Sequence, residues 1–128
     1  MSSILIIGYS NIAQKRIIPA LNNIDSIVSI EVASKSKKPS IEGKLKKHYN
    51  NYELALNKFK GNLVYISLSN HLHDKYLKVV CDKGFDCIID KPAFLKKSTL
   101  KYIEDKKKNI FIAESVVFHE HPAWKKSI

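Results

Sequence analysis

The chain of 128 residues has only two cysteines, Cys81 and Cys87. They are close in sequence and nothing around them suggests an oxidising compartment, so they are expected as free, buried thiols rather than as a disulfide framework. Long hydrophobic runs are also missing: no apolar stretch approaches the ~20 residues of a membrane span. The opening MSSILIIGYSN lacks the basic n-region and small-residue cleavage site of a secretory signal. These absences predict a cytoplasmic protein with no membrane partner. Internal repeats, low-complexity linkers and shifts of composition are absent as well, which predicts one domain. With 45% hydrophobic residues the core can close without cross-links, burying roughly two-thirds of the unfolded chain's surface.

Acidic residues are scarce. Twelve Asp and Glu face 22 Lys and Arg, a net charge of +10, and such a surface attracts polyanions. The basic runs KSKK, KLKK and KKK come without a recognition helix or an RNA-binding signature. Nearly all the basic residues are lysine, and Ile and Asn are abundant too, so the charge reads as solvated faces and nucleic acid is disfavoured as a partner. Two histidine pairs, His71-x-His73 and His119-x-His121, fall near strand ends and could together hold zinc. Isolated pairs of this kind are ordinarily polar rim residues, and no metal is expected.

What is present is an alternation. Residues 3–8 (SILIIG), 26–34 (SIVSIEVAS), 62–69 (NLVYISLS), 85–90 (FDCIID) and 109–118 (NIFIAESVVF) are short apolar runs that read as strands buried on both faces. Between them the spacing predicts helices at 11–23, interrupted by Pro19, weakly at 41–47, at 52–59 with Gly61 ending it, at 73–84 with Gly84 as the stop, and from an N-cap at Ser98. A further helix is expected to start at Pro122. Strand–helix alternation with continuous apolar strands predicts an α/β fold: a three-layer, doubly wound parallel sheet. In such sheets ligands lie beyond the carboxyl ends of the strands, which directs attention to the residues after each strand.

After the first strand comes GYSNIA, residues 8–13. A dinucleotide fingerprint places G-x-G-x-x-G/A at such a turn, with glycines for the tight turn, for close approach to pyrophosphate and for helix packing. Gly8 and Ala13 fit the first and third positions, whereas Ser10 occupies the second. After the second strand stand Ser34 and Lys35, then Lys37 and Lys38. Glu31 lies too early to reach a ribose, and a hydroxyl with cations suits a 2′-phosphate, so NADP(H) is expected over NAD(H). Ser67 and Ser69 close the strand at 62–69, and Asn70, His71 and His73 follow it. The run CIIDKPAF ends abruptly in Asp90, Lys91 and Pro92, an acid, a cation and a proline at a strand end.

Together ILIIGYSNIAQKRIIPAL, VYISLSNHLHDKYLKVVCDKGFDCIIDKPA and FIAESVVFHEHPAW resemble the N-terminal half of Gfo/Idh/MocA-type oxidoreductases, with that family's G-x-G-x-[IL]-[AG], T-P-N-x-x-H and E-K-P patterns in order. The resemblance implies an NAD(P)-binding Rossmann fold and hydride transfer between nicotinamide and a hydroxyl or carbonyl carbon of a sugar or polyol. Carried over, it puts Gly8, Ser10, Asn11, Ile12 and Ala13 at the pyrophosphate and Ser34 and Lys35 at the adenosine ribose. Ser67, Ser69, Asn70, His73 and Asp90 fall along the rest of the cofactor rim. Lys91 becomes the catalytic cation, aimed by a cis peptide before Pro92. Ser10, Ser69 and Asp90 depart from the pattern, and His119 stands where many members have arginine. The expected division is a Rossmann domain over residues 1–122 and, at 123–128, the start of a connection to a substrate domain that this chain does not contain. Apolar residues such as Phe118 and Trp124 would then suit a homo-oligomer or a partner chain. The alternative is a degenerate Rossmann module that binds nucleotide or serves as a scaffold without turnover.

Overall fold

The computed structural model describes residues 2–11, 13–35, 37–68, 70–90, 97–98, 101–102 and 112–115; for 70, 71, 90 and 112–115 it describes the backbone alone. Six strands form one sheet: β1 (Ser2–Ile7), β2 (Ile27–Ala33), β3 (Leu45–Tyr49), β4 (Leu63–Ile66), β5 (Asp86–Asp90) and β6 (Ile112–Ser115). They lie in the order β3-β2-β1-β4-β5-β6, and every neighbouring pair is parallel. The helices are α1 (Ile18–Asn22), which continues a π-helical turn (Ala13–Ile17), α2 (Tyr52–Lys58) and α3 (Asn70–Asp82).

The central strand shows why the sheet is a middle layer. Its residues Ile4, Leu5, Ile6 and Ile7 are all fully buried. Successive side chains of a strand point to opposite faces, and here they divide between two cores. Leu5 and Ile7 join Leu56, Leu77 and Val80 from α2 and α3. Ile4 and Ile6 join Ala13, Ile17 and Leu21 from the first helical segment. β5 repeats the division, with Cys87 and Ile89 on the first side and Ile88 on the second. Burying an aliphatic side chain of this size contributes ~1.5–3 kcal/mol, and both faces collect it. The expected three-layer, doubly wound parallel sheet is thus present.

Pro19 acts as its chemistry requires. It has no N–H to give the carbonyl four residues back, and the segment divides just before it: π-helical through Ile17, then α-helical from Ile18 with the proline in the first turn. Asn51 caps α2 by accepting from Leu54 N at 3.0 Å. α3 ends as read: Gly84 has φ +82°, and Phe85 N and Gly84 N bond back to the carbonyls of Val80 and Cys81, the paired bonds of a Schellman stop.

Two expectations are corrected. The weak helix at 41–47 is not formed; residues 45–49 are instead the edge strand β3. The polar segment gave only a weak helical signal, and pairing with β2 overrides it. The register skips Lys46, since Ile30 pairs with Leu45 and Glu31 with Lys47. The extra residue inverts the alternation, so Leu45 packs on the α1 side and Tyr49 on the α2–α3 side. Ser98 is not an N-cap, because Lys97 and Ser98 are both already helical. The helix expected from Pro122 lies outside the described residues. Cys81 and Cys87 are buried and are not joined in a disulfide. Among the described residues no helix is long and apolar enough to cross a membrane.

Candidate functional site

Chain order and sheet order part company between β1 and β4: the chain runs outward from β1 through β2 to β3, then returns to β4 on β1's other side. Such a switch point opens a crevice beyond the carboxyl ends of the two strands. Gly8 leaves β1 there with φ +99°, in the left-handed region that glycine enters without penalty. A Cβ at this position would stand 2.3 Å from Ser67 O, so the turn requires glycine on two counts.

Ser10 fills the space that a second glycine would leave. Its Oγ accepts from Ala13 N at 3.0 Å, and its carbonyl accepts from Gln14 N. Ser10 therefore caps the first helical segment in the usual manner of a serine N-cap. The same hydroxyl lies 2.5 Å from Ser67 Oγ, which joins the β1 turn to the exit of β4. Asn11 is exposed beside it and Ala13 is buried against the sheet. Ile12 lies outside the described residues.

The exit of β4 leads into α3. His73, in the first turn of α3, is almost completely buried. Its Nε2 lies 2.8 Å from Leu68 O; the carbonyl can only accept, so Nε2 donates. Nδ1 is buried and has no hydrogen-bond partner among the described residues. With Nε2 donating, Nδ1 carries the lone pair and can only accept. Asn70 opens α3, and Ser69 lies outside the described residues. Asp90 ends β5 and pairs with Ser115 of β6. Lys91 and Pro92, with the cis peptide, lie outside the described residues, as do Phe118, His119, His121 and Trp124.

At the other wing, Ser34 is buried and its backbone N donates to Tyr49 O. Its hydroxyl donates to the Lys37 carbonyl and lies 2.8 Å from His48 Nε2. Lys35 is exposed, with Nζ 5.1 Å over the Tyr52 ring, and Tyr52 meets Tyr76 edge to face at 5.3 Å. This cation–aromatic stack ties the end of β2 to α2 and α3. Glu31 takes no part at the rim; it accepts from Tyr49 OH at 2.6 Å, and burial together with that carboxylate holds the Tyr49 phenol well above its ordinary pKa. His48 and Tyr52 escaped sequence reasoning. The signal for His48 was its place in an edge strand, hidden by the helical reading of that segment.

A cleft of about 300 Å³ opens between α1 and the connection to β3, with Tyr9, Gln14, Asn22 and Glu42 in its wall. Its amides serve the fold: Gln14 Nε2 donates to Tyr9 O, and Asn22 bonds Ile18 O and Lys44 N.

Gly8, Ser10, Ser67 and His73 are thus gathered at the switch point, and Ser34 and Lys35 stand one strand away. A family model described as oxidoreductase family, NAD-binding Rossmann fold, matches residues 2–121. The chain belongs to the Gfo/Idh/MocA oxidoreductase family. An uncharacterized oxidoreductase, ORF334 of Rhizobium meliloti, is 26% identical over 125 residues, covering 93% of this chain and 37% of the relative. A similar fold is seen in KijD10, a 3-ketoreductase from Actinomadura kijaniata solved with NADP and TDP-benzene: TM-score 0.82, 20% identity, 98% of this chain and 40% of that one. A putative oxidoreductase from Klebsiella pneumoniae superposes with TM-score 0.73 at 19% identity, over 89% of this chain and 34% of that one. The chain therefore spans between about a third and two-fifths of the length of these relatives.

Proposed function

We propose that this chain is the cofactor-binding half of an NAD(P)-dependent oxidoreductase acting on a hydroxyl or carbonyl carbon of a sugar-type substrate, with NADP(H) preferred. The observation that carries the reading is Gly8: a positive-φ turn pressed against Ser67 O at the topological switch point, where backbone must pass close to a phosphate. The residues present fit a dinucleotide. Gly8, Ser10, Asn11, Ile12 and Ala13 would hold the pyrophosphate, with Ser34 and Lys35 at the adenosine ribose. Ser67, Ser69, Asn70, His73 and Asp90 would run along the remainder. Support for the 2′-phosphate comes from the exposed Lys35, Lys37 and Lys38 after β2, and from Glu31 being committed to Tyr49. The bound cofactor would supply or accept the hydride.

Lys91, one residue beyond the end of β5, is the proposed catalytic residue. A cation beside a reacting carbon stabilises developing oxyanion charge or passes a proton. The substrate would be held by a further domain or a partner chain, with residues 1–122 as the Rossmann unit and 123–128 leading onward.

A second reading, a Rossmann module without turnover, is favoured by one observation: Ser10 Oγ already occupies the Ala13 N–H that a phosphate would use. Calorimetric titration with NADPH and NADH tests both. Saturable binding that Lys35→Ala weakens mainly for NADPH supports the cofactor half; no binding of either nucleotide overturns it.

A further inference from the structure

At the end of β2 a directed hydrogen-bond chain runs from β3 into the loop beyond β2. Ser34 Oγ has one proton, and it goes to the Lys37 carbonyl. The 2.8 Å contact with His48 Nε2 must then be a donation from the imidazole, since the hydroxyl has only lone pairs left. His48 sits where it does because β3 pairs in parallel with β2, with Val32 opposite His48 and Ala33 opposite Tyr49. Ser34 is buried, so few other donors can replace the imidazole. Its backbone N is held as well, by Tyr49 O at 3.0 Å, leaving the hydroxyl rotor as the free variable. Around it stand the exposed Lys35, Lys37 and Lys38, with Lys35 propped on Tyr52 at 5.1 Å.

We propose that His48 is a specificity-determining positioning residue: by donating to Ser34 it holds that hydroxyl ready to turn from the Lys37 carbonyl to the 2′-phosphate of NADP(H). This rests on the dinucleotide reading of the site. In the free protein the Ser34 proton satisfies Lys37 O and the loop is drawn over the end of β2. When a phosphate arrives, the same proton is given to a phosphate oxygen, and the Lys37 segment is released to bring its ammonium to the new charge. The imidazole donates to Ser34 in both arrangements, so the hydroxyl is polarised toward its acceptor throughout. NADH offers no phosphate at this position and gains nothing from the turn. His48 therefore contributes to discrimination between the two cofactors without touching either.

The test is calorimetry with NADPH and NADH on the wild-type chain and on His48→Leu, His48→Gln and Ser34→Ala. A hydrogen bond to a charged group corresponds to roughly tenfold or more in affinity. His48→Leu and Ser34→Ala are each expected to lower the NADPH-to-NADH affinity ratio by about tenfold. His48→Gln, whose amide can donate in place of Nε2–H, is expected to restore most of the ratio. A merely structural role would weaken both nucleotides together and leave the ratio alone. Binding of both nucleotides with an unchanged ratio in His48→Leu overturns the role of His48 while leaving the cofactor half standing. If His48→Leu does not fold, an unchanged ratio in Ser34→Ala has the same effect. Absence of binding by the wild-type chain overturns both readings.

Discussion

Ser10 and Ser67 meet hydroxyl to hydroxyl across the gap between β1 and β4, 2.5 Å apart, while Ser10 also takes the Ala13 N–H. The turn is closed on itself at the point where a phosphate is proposed to sit. Ser10→Gly removes both the Cβ and the internal acceptor. It is expected to tighten NADPH binding several-fold while lowering stability by only a few tenths of a kcal/mol; Ser10→Ala, which loses the cap without restoring glycine, costs about 1 kcal/mol. Titration calorimetry and urea unfolding of the two variants read these effects separately.

Gly8→Ala sets a methyl group 2.3 Å from Ser67 O in a backbone of φ +99°. Positive φ alone costs a non-glycine residue about 1–3 kcal/mol, and a contact with backbone cannot be relieved by a rotamer change. A loss of at least ~2 kcal/mol is expected in denaturant unfolding, together with loss of any cofactor binding.

Cys87 is fully buried. Burial first, then nearby Cys81 and Asp86, push its thiol pKa well above the ordinary 9.0. Above about pH 9 the unfolded chain releases this proton and the folded chain keeps it, so the folded state binds more protons and stability falls as pH rises. The contribution is complete below about pH 9 and declines above it, by up to ~1.4 kcal/mol per pH unit for one group. Urea midpoints for the wild type and Cys87→Ala should run parallel below about pH 8.5 and converge above about pH 9, before the tyrosines ionise.

The skipped residue in β3 predicts tolerance of both substitution and deletion. Lys46 is exposed, so Lys46→Ala should change stability by less than about 0.5 kcal/mol. Deleting Lys46 removes the register shift and leaves Leu45 and Tyr49 three apart in a regular strand, on opposite faces, so each keeps its own core. A change of less than about 1 kcal/mol is expected, measurable by thermal unfolding of the two variants.

The layers were legible because Ile4 to Ile7 are uniformly apolar, and only a strand covered on both sides tolerates that. The crevice followed from topology: once β1 and β4 were strands, Gly8, Ser67 and His73 had to fall at their exits. The helical break at Pro19 followed from a missing N–H. β3 was not legible, since its two buried residues lie four apart, a helical spacing that an irregular strand pairing also produces. With β3 went His48, whose contact with Ser34 exists only because β2 and β3 are neighbours. The closure of Ser10 on Ser67 was hidden for the same reason: 57 residues separate them, and sequence shows a serine in a glycine position without showing what its hydroxyl meets.

The irregular pairing of β3 bears on how copies of this chain meet. β3 is one of the sheet's two borders, and a straight apolar border would template edge-to-edge growth. Here the border is kinked at the extra residue and carries the exposed Lys46 and Lys47, whose charges oppose close approach of a second copy. Both features discourage sheet extension on this flank.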